Sequence, residues 1–151
     1  MFAVCTVLDR AGERALLVGG SAATYYAPAA YQSLDCDFIL TFGIDSALIV
    51  SALGPIGFFR TGEGFFKHRG IEYTVEFPRG PAYIGMDEIT AFSTERRDGE
   101  VLYIYTPTDV VRDRLMHFWA WGDYSALRVA LDVAQARKGD VNFDLRAALR
   151  G

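Results

Sequence analysis

One stretch, residues 16–40 with the sequence LLVGGSAATYYAPAAYQSLDCDFIL, constrains the fold more than any other. Leu16, Leu17 and Val18 form a short apolar run suited to a buried strand. Gly19-Gly20 follows, allowing backbone conformations that a Cβ disfavours and a close approach of another group to the main chain. Ser21 is placed to cap a helix over residues 21–26 with its hydroxyl. Pro28 stops that helix, because the residue before a proline avoids helical geometry. The N–H groups left unpaired at such a helix start suit a phosphate. After a link over residues 28–32, a second strand opens with Ser33-Leu34-Asp35-Cys36-Asp37. Residues two apart in a strand share a face, so Asp35 and Asp37 point together and Cys36 points to the opposite, core side. Neighbouring carboxylates on one face repel each other unless they are exposed or bridged by a cation. A phosphate cradle followed by a pair of metal-binding carboxylates is what phosphoryl or nucleotidyl transfer requires.

The chain has 151 residues, 51% of them apolar, which gives one domain with its own core and excludes intrinsic disorder. A net charge of −4 provides no global basic footprint for nucleic acid, although a local patch formed by Lys67, His68, Arg69 and Arg79 would lie near the site. It would guide a nucleotide or an acidic acceptor, or be a solvated hairpin edge. Cys5 and Cys36 are the only cysteines, so there is neither a disulfide framework nor a zinc pattern. His68 and His117 lack metal-ligand spacing and read as structural or surface residues. No apolar run approaches the roughly 20 residues needed to cross a membrane, and the apolar N-terminus lacks a basic leader. Cytoplasmic residence, away from any membrane, is the expectation.

In chain order, the pattern predicts a helix over residues 2–10 ended by Ala11-Gly12, a strand at 16–18 and the helix at 21–26. A strand at 36–41 and a helix over 44–53 follow, the latter starting near Asp45 or Ser46, with Ile44, Leu48, Ile49 and Ala52 on one face. Residues 57–60 and 65–68 read as a hairpin around Thr61-Gly62-Glu63-Gly64. Residues 71–77, IEYTVEF, alternate, with Ile71, Tyr73, Val75 and Phe77 on one face and Glu72, Thr74 and Glu76 on the other. Residues 92–96 and 101–105 form a second hairpin across Asp98-Gly99. After Thr106-Pro107 the pattern turns helical: one helix capped by Thr106 or Thr108 to about Trp121, another over 124–138 with Gly139 as its cap, and a last turn within 143–150. The expected fold is therefore α/β, a small mixed β-sheet flanked by helices over residues 1–106, with a C-terminal helical extension over 107–151.

GGSA followed by S-x-D-x-D on the next strand resembles the DNA polymerase β-type nucleotidyltransferase superfamily, above all its minimal bacterial members in toxin–antitoxin modules and the abortive-infection type E branch. The resemblance implies a third carboxylate on a neighbouring strand. The matching position is Glu76 in TVEFPRGP, where Asp is commoner in the superfamily. It further implies that Asp35, Asp37 and Glu76 are catalytic and hold Mg²⁺ (or Mn²⁺), with Glu76 as proton acceptor. Gly19, Gly20 and Ser21 would bind the phosphates of an NTP, most often ATP. The implied reaction moves a nucleoside monophosphate to a protein or RNA acceptor, the protein being a toxin or antitoxin partner. The rival reading is a catalytically weak or inactive member that binds a nucleotide or a partner.

The helical extension adds a D-x-x-x-D-R stretch, Asp109 to Arg114, that also resembles the minimal subgroup. Arg114 is placed to reach a phosphate as a charge-assisted donor. The other reading joins Arg112, Asp113, Arg114 and Asp123 in a salt-bridged seam between extension and core. Trp119 and Trp121 cannot share a helix face and read as packing residues.

Overall fold

The computed structural model describes residues 1–41, 43 and 45–144. The strand expected at the head of the organising stretch is β1 (Ala15–Val18), and all four of its residues are buried. It runs antiparallel to β2 (Asp35–Leu40) and parallel to β9 (Glu100–Ile104), which explains why it shows no polar alternation. The full sheet is seven-stranded, in the order β3-β4-β5-β2-β1-β9-β8, with β3 (Phe58–Gly62), β4 (Phe65–His68), β5 (Thr74–Glu76) and β8 (Ser93–Arg97). Both hairpins form where the turn residues predict, β3 with β4 and β8 with β9. β1 and β2 are central, so the residues at their ends are held from both sides.

Helices α1 (Phe2–Arg10) and α2 (Gly19–Tyr26) lie on the face of β2 that carries Cys36: Phe2, Val4, Tyr25, Cys36, Phe58 and Val75 line one cavity of about 440 Å³ there. Thr6 pins α1 to the sheet, its hydroxyl donating to the Val101 carbonyl at 3.3 Å and accepting from the Val101 N–H at 2.9 Å. Helix α3 (Ser46–Leu53) is capped by Asp45, which accepts from the N–H groups of Ala47 and Leu48. Ile44, expected on its apolar face, lies outside the described residues, as does most of the last turn expected within 143–150.

The helical extension is α4 (Pro107–Trp121) and α5 (Tyr124–Ala136). Thr106 caps α4 by accepting from the Asp109 N–H at 3.1 Å, with Pro107 in the first turn, and Gly122 ends it in the left-handed region at φ 65°. Asp123 caps α5. The base of α4 is tied down twice: the Tyr105 N–H donates to the Leu17 carbonyl at 3.1 Å, and the Tyr26 hydroxyl donates to the Tyr105 carbonyl at 2.8 Å.

Four local expectations are corrected. The strand expected at 71–77 is only β5, because residues 69–73 are spent on the turn back from β4, leaving Ile71 and Tyr73 exposed. Helix α5 stops at Ala136 rather than Lys138, since the Arg137 carbonyl closes a turn onto the N–H groups of Asp140 and Val141 instead of continuing the helix. Trp119 and Trp121 do not pack: they are 76% and 78% exposed at the far end of α4. A short ribbon, β6 (Tyr83–Ile84) with β7 (Asp87–Glu88), turns at Gly85, φ 60°, in a stretch where the sequence reading places no element.

Candidate active site

Strand register decides which side chains meet. β2 and β5 pair in parallel, with Asp35 beside Thr74, Cys36 beside Val75 and Asp37 beside Glu76. Cys36 and Val75 are buried on one face, which leaves Asp35, Asp37, Thr74 and Glu76 on the other. The Thr74 hydroxyl donates to Asp35 Oδ1. β1 pairs Val18 with Asp37, so the turn that follows Val18 arrives at the same carboxylates. Gly19 has φ +64°, and a Cβ built there would stand 3.0 Å from Asp37 Oδ2 and 4.0 Å from Arg114 Nη2. Only glycine satisfies both the conformation and the contact.

The electrostatics follow from this crowding. Burial pushes the Asp37 carboxyl up from its ordinary range, and the negative charge of Asp35 adds to the rise; Arg114 opposes it and Asp113 reinforces it. Glu76 is also pushed up, by desolvation and then by the charges of Asp37 and Asp35. Arg114 is the cation of the site, but its Nη2 and Nε donate to Asp113 Oδ2 at 2.6 and 3.0 Å, so part of its charge is already compensated.

The two readings of the Asp109–Arg114 stretch divide between its two arginines. Arg112 turns away from the carboxylates and makes the seam: it donates to Asp109 Oδ1 at 3.0 Å and to Asp87 of β7. Arg114 faces Gly19 and Asp37. Asp123 takes no part in the seam, since its carboxylate caps α5. Ser21 is also placed differently from the sequence expectation. Helix α2 starts two residues earlier, at Gly19, without a side-chain cap, and the fully buried Ser21 hydroxyl donates to the Val18 carbonyl at 3.1 Å. What the turn offers a ligand is the backbone N–H groups of the first helical turn, not that hydroxyl. Of the modest basic cluster, Arg79 pairs with Glu63 at 3.5 Å on the surface. His68 is structural: its Nδ1 accepts from the Gly70 N–H, which leaves Nε2 to donate to the Ile56 carbonyl.

Among the described residues, no three His, Cys, Asp or Glu side chains already form a set able to hold a metal ion. The donor chemistry nonetheless fits a hard divalent cation: oxygen ligands only, with Asp37 and Glu76 raised in proton affinity by desolvation and by neighbouring carboxylate charge, and the Arg114 guanidinium nearby already partly spent on Asp113. Thr74 is the participant the sequence reading leaves unassigned. Its signal was the alternation that set it on the same face as Glu76.

The overall fold recurs in solved structures. An antigenic nucleotidyltransferase-like protein from Paracoccidioides brasiliensis matches 98% of this chain and 83% of its own, with a TM-score of 0.66 at 17% identity. The fold is nucleotidyltransferase-like. The antibiotic-resistance factor ANT(2'')-Ia shares this nucleotidyltransferase-like fold, covering 97% of the chain and 90% of its own length with a TM-score of 0.51 at 11% identity. No protein-family model matches the chain, and no curated protein sequence does. No described helix is long and apolar enough to cross a membrane.

Proposed function

We propose that the protein is a metal-dependent nucleotidyltransferase that moves a nucleoside monophosphate from an NTP, ATP by expectation, to a hydroxyl of a protein or RNA acceptor. The observation that carries the reading is the parallel register of β2 and β5, which sets Asp37 beside Glu76 with Asp35 on the same face, directly against the Gly19 turn. Asp35, Asp37 and Glu76 are the residues that would hold Mg²⁺ or Mn²⁺, and the ion would supply neutralisation of the charge on the triphosphate and on the departing pyrophosphate. The backbone N–H groups at the start of α2 bind phosphate oxygens, and Arg114 adds a charge-assisted donor. The acceptor oxygen attacks the α-phosphorus, the bond to pyrophosphate breaks, and the acceptor's proton passes to Glu76, whose raised proton affinity suits a general base. A place in a toxin–antitoxin module, with the partner protein as acceptor, is the biological setting we infer. Residence in the cytoplasm goes with it.

A second reading has one observation in its favour. Asp35 is engaged by Thr74, and the carboxylates do not form a ready three-ligand set. A protein that binds nucleotide or partner without transfer would look the same. Incubation with α-³²P-labelled ATP, GTP, CTP and UTP, Mg²⁺, and either the neighbouring gene's product or total RNA separates the two. Label transferred by the wild type and lost in Asp37→Ala supports the transferase. Partner binding that persists in Asp37→Ala, with no label moved by either protein, supports the second reading. Absence of both binding and transfer sinks both.

A further inference from the structure

The link from α2 to β2 carries a tyrosine that this mechanism leaves unused. The link is firmly held. The Tyr31 N–H donates to the Ala27 carbonyl at 3.1 Å. The Ser33 N–H donates to the Thr24 hydroxyl at 2.8 Å, and that hydroxyl donates to the Gly20 carbonyl at 3.1 Å. These bonds fold the link back over the start of α2. A Cβ built on Gly20 would lie 3.0 Å from the Tyr31 hydroxyl oxygen, 3.4 Å from its ring and 3.6 Å from the Ser33 hydroxyl. The Tyr31 ring is partly buried against the core, yet its hydroxyl makes no hydrogen bond among the described residues. The Ser33 proton, by contrast, is already given to the Asp35 carbonyl at 3.0 Å.

The ring is fixed over the glycine backbone while its hydroxyl stays open to solvent, so a ligand seated on the turn would meet that hydroxyl. We propose that Tyr31 is a further phosphate-binding residue, its hydroxyl donating to the terminal phosphates of a nucleoside triphosphate seated on the Gly19-Gly20 turn and distinguishing triphosphate from monophosphate. The inference rests on the nucleotidyltransferase reading and extends it. Arg114 approaches the turn at Gly19 and Tyr31 approaches it at Gly20, so the two donors bracket the same anion. A phenol contributes a hydrogen bond to an ionised oxygen without adding a positive charge that would compete for the carboxylates.

Titration calorimetry of wild type and Tyr31→Phe with MgATP, and separately with AMP, tests it. The substitution removes one oxygen and keeps the ring. MgATP affinity is expected to fall roughly tenfold or more, as loss of a charge-assisted hydrogen bond implies, while AMP affinity stays the same. Equal MgATP affinity in both proteins, or an equal loss for MgATP and AMP, overturns the role of Tyr31 and leaves the transferase reading standing. A wild type that binds no nucleotide overturns both. Should Tyr31→Phe melt several degrees lower, nitration of the wild type decides instead. Slower modification of Tyr31 in the presence of magnesium tripolyphosphate supports the inference, and an unchanged rate overturns it.

Discussion

Asp37 stands between a glycine it nearly touches, a carboxylate across the strand boundary and an arginine whose charge is shared. Its proton affinity and that of Glu76 are raised in the folded protein, chiefly by desolvation. A raised carboxyl pKa contributes stability that is fully present below the ordinary carboxylate range and is lost as pH rises through the folded-state value. Ionising either group in the folded protein therefore carries a cost. Asp37→Asn should raise the melting temperature of the metal-free protein at pH 7.5 by a few degrees, with the gain shrinking towards pH 4, while abolishing transfer. Mg²⁺ should raise the melting temperature of the wild type and not of Asp37→Asn. Thermal denaturation across pH, with and without the ion, checks both; a lower melting temperature for the variant at neutral pH would contradict the electrostatic account. Gly19→Ala is expected to destabilise by about 1–2 kcal/mol, the usual cost of placing a Cβ in the left-handed region, and to weaken nucleotide binding because the new methyl meets Asp37; denaturant unfolding and calorimetry measure the two effects. Strand alternation made the common face of Asp35 and Asp37 legible in the sequence, and that of Thr74 and Glu76; Glu76 as a third carboxylate came with the family resemblance. The partners of Ser21 and Thr74 were not legible, because a hydroxyl's partner is chosen by what folding brings near it. Ser21 finds the Val18 carbonyl and Thr74 finds Asp35.

At the scale of elements, α4 does two jobs on two sides. Arg112 fastens it to the β6–β7 ribbon through Asp87, and Arg114 presents a cation to the glycine turn. Their substitutions should therefore separate. Arg112→Ala leaves Asp109 and Asp87 without their shared partner and should lower stability by about 1–3 kcal/mol, measured by urea unfolding, with nucleotide affinity per folded molecule little changed. Arg114→Ala should reverse the pattern, weakening nucleotide binding with a small effect on stability. The D-x-x-x-D-R stretch does lie on a helix, but which arginine faces which way depends on the ribbon. Its two-residue strands carry no periodicity that a sequence reading can use. β5 was over-extended for a related reason: IEYTVEF alternates throughout, yet the antiparallel pairing with β4 requires the chain to turn within it. The caps divided: Asp45 and Thr106 accept backbone N–H groups where expected, whereas Ser21 does not cap α2, and Asp123, read into the seam, caps α5 instead.

For the molecule as a whole, both tryptophans sit on the last turn of α4 and are largely exposed. Fluorescence excited at the indole band should therefore show the red-shifted emission of water-exposed tryptophan and near-complete quenching by acrylamide in the native state. A blue-shifted, protected emission would mean that this end of α4 is covered in solution. The alternation of helical and strand patterns, and the change of pattern at Thr106, conveyed the α/β class from sequence. The order β3-β4-β5-β2-β1-β9-β8 was beyond it, since β2 pairs with a strand more than thirty positions away that no local signal announces. The tie between Tyr105 and Leu17 has a consequence of its own. It fixes the point from which α4 rises to the same strand that delivers Gly19, so the helix works as a screw thread whose pitch alone aims its guanidinium. One extra residue between Pro107 and Arg114 would swing that guanidinium by about 100° around the axis, leaving the carboxylates intact and facing an empty quarter.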